Sequence, residues 1–252
     1  MAPLDPYANW NRRSSDAFEE IEPIRRYFIV CEGANAEPWY FNAIIEQRER
    51  VCPRSQIQLV LLRKTDEDKD ASAPNKLVKL ARDTIKGERV AFQSSRDDRI
   101  FVIFDADIYA KKDATEYEEL VKRQDEKIRF GVTFPSFELF LLLHFPDSLE
   151  NEIIPNVDAI LQNKRHGKKR FVSYLLTHSH GFDAKKNSTR VAQLAENVDV
   201  AIEQEKRVNQ KVEDAVGRLT SNVGQLLESV FQEQDRRVKA LENPKGIDPN
   251  EA

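Results

Sequence analysis

Only two cysteines, Cys31 and Cys52, occur in the 252 residues. They cannot supply a disulfide framework, and with no histidine pairs beside them they do not form a zinc pattern. Cys31 reads as a buried strand residue. Apolar runs long enough to cross a bilayer are also missing. The composition is 40% hydrophobic and 33% charged, the mean hydropathy is −0.61, and a spanning helix needs about 20 consecutive apolar residues. The opening stretch M-A-P-L-D-P-Y-A-N-W-N-R-R has no apolar segment after a basic start, so no secretory signal and a cytoplasmic location are expected. No G-x-x-x-x-G-K-[ST] loop occurs, so nucleoside-triphosphate work would fall to another chain. A surplus of positive charge is lacking too. The 39 basic and 43 acidic side chains leave a net charge of −4, so charge must be judged locally.

What is present centres on Arg99 to Asp107, R-I-F-V-I-F-D-A-D. The β-branched and aromatic residues from Ile100 to Phe104 read as a buried strand that ends in two carboxylates. If the extended geometry continues past the strand, Asp105 and Asp107 project the same way. Paired, partly desolvated carboxylates favour a divalent cation, and oxygen ligands favour magnesium or manganese. The plainer reading is a strand end followed by an Asx turn.

The rest of the chain alternates strand and helix around that run. Strands are expected at Arg25 to Cys31, Ile57 to Leu62, Ile100 to Asp105 and Ile128 to Thr133. Helices follow each: one opened by Ala36-Glu37-Pro38 with an apolar face of Trp39, Phe41, Ile44 and Ile45, then Lys76 to Lys86, Glu116 to Arg123, and Phe137 to Phe145. The mixed-charge stretch Arg63 to Asp70 reads as a solvated loop. This pattern implies an α/β fold, a mostly parallel sheet flanked by helices, with a helical C-terminal extension. The expected division is a flexible arm over 1–23, an α/β core over 24–150, a helical region over 151–242 and a flexible tail over 243–252.

Beyond Pro155 only helices are expected: Val157 to Gln162, Arg170 to Thr177, and a long one capped by Asn187. In the long helix Val191, Leu194, Val198 and Ile202 recur at helical spacing, and Val208, Val212, Ala215 and Leu219 resume the pattern. Gly217 and Gly224 weaken it, with a break or bend near Thr220 to Asn222. The following stripe, Val223, Leu226, Leu227 and Val230, fits core, dimer seam or partner surface, and intramolecular packing is the default.

Glu32, Asp105 and Asp107 all fall at carboxyl ends of strands, where parallel sheets gather functional groups. A glutamate after the first strand and a D-x-D after a later one resemble the acidic triad of the Toprim domain. Further segments narrow the likeness: Val30-Cys31-Glu32-Gly33 with Glu37-Pro38 and Tyr40-Phe41, Phe104-Asp105-Ala106-Asp107, Ser136-Phe137-Glu138-Leu139 running into Leu141 to Phe145, and Asn187-Ser188-Thr189-Arg190-Val191. Together these resemble the RloB family, Toprim-like proteins of bacterial restriction and phage-defence loci, over about residues 25 to 200.

The resemblance implies a magnesium- or manganese-dependent nuclease acting on RNA, transfer RNA included, or on DNA. It would be the effector of an anti-phage, abortive-infection system with a partner ATPase. Asp105, Asp107 and Glu32 would hold the metal, and Glu32 would also serve as general acid or base. Glu37 is either a supporting acid or a helix-dipole partner. Glu138, costly to bury among Phe and Leu, reads as lining a cleft. His144 reads as a core or helix-end histidine, and His178-Ser179-His180 as a loop. Nucleic-acid contact is expected from Lys164, Arg165, Lys168, Lys169 and Arg170, joined by Lys185 and Lys186, against the alternative of a solvated loop. No membrane partner is expected, and the C-terminal helices could join copies of the chain. The competing readings are a non-catalytic binding or scaffold subunit of a complex with an ATPase, and a phosphotransferase on small nucleotides.

Overall fold

In the computed structural model, which describes residues 23–64, 73–87, 97–112 and 114–243, the run that ends in D-x-D is the central strand. The expected arm up to residue 22, the tail from 244 and residues 65–70 of the polar loop lie outside the described residues. Strands β1 (Arg25–Cys31), β2 (Ile57–Leu61), β3 (Arg99–Asp105) and β4 (Ile128–Phe134) are mutually parallel. A short β7 (Thr220–Ser221) adds antiparallel to β4, giving the order β2-β1-β3-β4-β7. The fold is α/β, a mostly parallel sheet flanked by helices.

Both faces of the sheet are buried, which is why its strands are continuously apolar. Alternation divides them. Tyr27, Ile29, Cys31, Phe101 and Ile103 face one core, while Phe28, Val30, Ile100, Val102 and Phe104 face the other. The second face is covered by α2 (Pro74–Ile85) and α3 (Ala114–Val121). The first is covered by α1 (Ala36–Val51), α4 (Glu138–Leu142) and the C-terminal helices. Tyr40, Phe41 and Ile44 form the buried stripe of α1, and Trp39 and Ile45 sit at its half-buried edge. Asp105 and its register partner Thr133 continue the alternation onto the α1 and α4 face.

The C-terminal half differs from a purely helical reading. After α5 (Val157–Leu161) the basic segment forms a hairpin, β5 (Arg165–His166) with β6 (Lys169–Arg170), turning at Gly167 with φ +61°. Helix α6 (Phe171–His180) takes in His178 and His180, which are its last turn rather than a loop, and Gly181 closes it with φ +73°. The expected long helix is divided. Asn187 caps α7 (Ser188–Leu194) by accepting the Arg190 amide at 3.0 Å, then a 3₁₀ turn over Ala195–Asn197 leads into α8 (Val198–Glu205). Val208 to Leu219 is not helical. The Asn209 amide reaches the Leu219 carbonyl at 3.1 Å and the Ser221 amide returns to Asn209 at 3.0 Å, so this loop delivers β7 to the sheet edge. Its periodic Val212 and Ala215 are buried from a 3₁₀ turn instead.

Helix α9 (Val223–Glu242) buries Val223, Leu226, Leu227 and Val230 within the same chain. No described helix is long and apolar enough to cross a membrane. Gly224 is not a weak point in α9 but a necessity of its first turn. A Cβ there would lie 2.8 Å from the Glu205 carboxylate. That buried carboxylate accepts the amides of Gly224 (2.9 Å) and Gln225 (2.8 Å), the Ser221 hydroxyl (2.5 Å) and the Gln210 amide group (3.2 Å). It satisfies donors that a helix N-terminus otherwise leaves open. Burial raises the Glu205 pKa and the four donors oppose that shift. We expect Glu205→Ala to cost about 3 kcal/mol and Gly224→Ala about 1 to 2 kcal/mol, despite alanine's better helix propensity. Urea midpoints at unchanged slope measure both, and a neutral Gly224→Ala would contradict the close approach.

Candidate active site

The parallel register brings three strand exits to one edge. Cys31 pairs with Ile103 and Asp105 with Thr133, so Glu32 leaves β1 beside the last turn of β3. The Glu32 amide donates to the Ile103 carbonyl at 2.8 Å, and the Asp105 amide donates back to the Glu32 carboxylate at 2.9 Å. Lys64, just past β2, donates to the Glu32 carbonyl; it lies in the stretch expected to be a solvated loop. Gly33 permits the next acid to fold back, because a Cβ at that position would meet the Glu37 carboxylate at 2.0 Å. The Gly33 and Glu37 amides favour the charged form of that carboxylate and oppose the effect of its burial.

Glu138, at the first turn of α4, completes the group. It is buried, accepts the Ser173 hydroxyl of α6 at 3.1 Å, and lies 4.0 Å from the Lys185 ammonium. Glu32, Glu37, Asp105 and Glu138 line one cavity of about 330 Å³, with Phe137 on its wall and Lys185 on its rim. Larger depressions, of about 490 and 440 Å³, lie elsewhere and touch none of these four acids. Glu138 therefore lines a cleft, whereas His144 belongs to the core. His144 is fully buried between the Phe140 carbonyl and the Tyr40 hydroxyl, each at 2.9 Å, and burial lowers its pKa to about 4.

Asp107 departs from the expected pairing. Strand β3 stops at Asp105, and Ala106–Tyr109 is a 3₁₀ turn, so the alternation of an extended chain does not carry to Asp107. Its carboxylate instead pairs with the Arg170 guanidinium at the end of the hairpin. Of the other basic residues, Lys169 is held by Asp183 at 2.9 Å and the Thr177 hydroxyl at 2.6 Å. Lys164, Arg165, Lys168, Lys185 and Lys186 are exposed.

The carboxylates disturb one another. Burial pushes Glu32 up to about 7, and the nearby Glu37 and Asp107 charges add to this, against the Asp105 amide and Lys64. Burial also raises Asp105 well above the usual carboxylate range, helped by Glu37, Glu138 and Glu32, while the Thr133 hydroxyl at 2.5 Å opposes it. Glu37 rises through burial and Glu138. An all-oxygen donor set of crowded carboxylates fits a hard divalent cation. Among the described residues, no three His, Cys, Asp or Glu side chains already converge as its ligands. Thr133 and Ser173 were not singled out by sequence; the signal for Thr133 was its place at a strand end opposite Asp105.

The Glu32 shift has a defined effect on stability. The folded chain holds this proton more tightly than the unfolded chain, so protonated Glu32 stabilises fully below about pH 4.5 and loses that contribution as pH rises through about 7. In metal-free buffer Glu32→Gln should match the wild type near pH 4.5 and exceed it by about 2 kcal/mol near pH 8. Urea unfolding at the two pH values measures the difference, and a pH-independent gap would refute the assignment.

No curated protein and no solved structure matches the chain. The family model described as RloB-like protein matches residues 27–230, a span running from β1 into α9 and containing every acid of the cavity, so the chain belongs to the RloB-like family.

Proposed function

We propose that this chain is a Toprim-type nuclease dependent on magnesium or manganese, hydrolysing phosphodiesters of RNA, transfer RNA included, or of DNA. The observation that carries the reading is the gathering of Glu32, Glu37, Asp105 and Glu138 around one cavity at the carboxyl edge of the parallel strands, with a basic hairpin fastened beside it through Arg170 and Asp107. Family resemblance supports the wider role, a cytoplasmic effector of anti-phage defence working with a separate ATPase.

Of the three residues the family resemblance assigns to the cation, Asp105 and Glu32 line the cavity and Asp107 would have to leave Arg170 to join them; a cation held there would neutralise the acidic pocket and polarise a phosphoryl oxygen. With no cation bound, burial pushes Glu32 up to about 7, so a Glu32 left outside the cation's ligands could take or give a proton at its carboxylate near neutral pH, whereas as a ligand it would stay ionised. The Asp105 amide fixes one face of that carboxylate, and the Thr133 hydroxyl orients Asp105. Lys185 on the rim, with Lys164, Arg165 and Lys168 on the hairpin side, offers positive charge to phosphates that the acids alone would repel.

A second reading, a non-catalytic binding or scaffold subunit, is favoured by one feature: Asp107 is engaged by Arg170. Cleavage of mixed labelled RNA and DNA separates the two, with purified protein, magnesium or manganese, and the partner ATPase added in a parallel arm. Glu32→Gln and Asp105→Asn, shown to fold by circular dichroism, should each lose cleavage by about 100-fold or more. Wild-type protein that cuts nothing in either arm, or variants that cut as well as wild type, would reject the nuclease. The scaffold reading instead expects Asp105→Asn with Asp107→Asn to keep function and gain stability.

A further inference from the structure

Helix α6 carries more to the site than Ser173. At the next position Tyr174 lies in a ladder of rings: His166 of the hairpin stacks on it at 3.9 Å and 29° between planes, His178 one turn along sits at 5.2 Å, and Phe171 at 5.8 Å. The lower rings are anchored, because Phe171 and Tyr174 pack against the core. Among the described residues the end of the ladder is open: His166 is exposed, beside the Gly167 turn, with the exposed Lys164, Arg165 and Lys168. The hairpin that presents it is fixed on both sides. Lys169 is held by Asp183 and Thr177, and Arg170 by Asp107.

An exposed planar ring held rigid by a stack beneath it, within a cluster of cations, matches the two demands of an unpaired nucleotide: a flat surface for the base and positive charge for the phosphates. The duplex offers neither face of its bases, which are already stacked. Ser173 donates to the cavity acid Glu138, and its neighbour Tyr174 carries the stack. The two side chains point about 100° apart around α6, so one helix positions both the Glu138 contact and the ladder.

We infer that His166, supported by Tyr174, is a stacking site for an unpaired base, and that the strand this chain binds is single-stranded. The inference rests on the nuclease reading only for what happens to the strand afterwards. The binding itself is read without cleavage. Fluorescence anisotropy in chelator-containing buffer compares a fluorescein-labelled mixed-sequence single strand, as RNA and as DNA, with the same sequence as a duplex and with a strand of abasic sugars bearing the same phosphates. Wild-type protein should prefer the base-bearing single strand over the abasic one by roughly tenfold. His166→Ala should reduce that preference to within about twofold while leaving abasic binding unchanged, and His166→Trp should retain it. RNA and DNA arms identify the sugar.

Equal binding of base-bearing and abasic strands, tighter binding of duplex, no binding to any strand, or a preference untouched by His166→Ala would each overturn the inference. A base preference in a protein that never cleaves would defeat the nuclease reading alone. Cleavage without a base preference would defeat this inference alone.

Discussion

The amide of Asp105 donating to the carboxylate of Glu32 is the contact on which the site depends. It exists because β1 and β3 are parallel neighbours in a register that lets β3 run past the end of β1. The backbone of one acid thereby holds the side chain of the other. A slip of one residue in either strand would move Asp105 to the opposite face and present Glu32 with no donor. The apolar runs of both strands, buried on two faces, oppose any such slip.

Collecting carboxylates at this edge opposes folding, and the surrounding residues show how the cost is limited. Gly33 leaves room for Glu37 beside backbone amides that favour its charged form, Asp105 receives the Thr133 hydroxyl, and Glu138 receives the Ser173 hydroxyl. Each donor stabilises the charged form, yet burial and mutual repulsion still raise Glu32, Glu37 and Asp105. An added positive charge would relieve this residual repulsion. Glu205 shows the contrast: it too is buried, but four donors surround it and its role is to close the end of α9.

The strands and their order of exits were legible because a two-sided parallel sheet writes itself as short apolar runs, and because a glycine and a proline mark the exit from β1 and entry to α1. Glu138 was legible as a polar residue in an otherwise apolar helix. The region after residue 155 was less so. Val208, Val212, Ala215 and Leu219 have helical spacing, but the loop that carries them is shaped by long-range bonds to the sheet edge, including Asn222, whose side chain joins the Val132 amide (2.6 Å) and Phe130 carbonyl (2.9 Å). Periodicity reports local burial and is silent on such partners. For the same reason Gly224 read as a helix breaker, since Glu205 is nineteen residues earlier. The Asp105 and Asp107 pairing failed on local geometry, because alternation ends where the strand does.

Charge separation accounts for the remaining arrangement. A net charge of −4 says little about a surface on which acids are withdrawn into a cavity and cations are raised on a hairpin beside it. Two cations of that hairpin are committed to acids of the protein, Lys169 to Asp183 and Arg170 to Asp107, and these ion pairs set its position. The cations left exposed, Lys164, Arg165 and Lys168, are therefore displayed from a fixed frame rather than a free loop. A polyanion approaching that frame gains attraction before it meets the repulsion of the cavity. Only added positive charge in the cavity would remove that repulsion, so attraction at the hairpin and repulsion at the cavity depend on separate sets of residues.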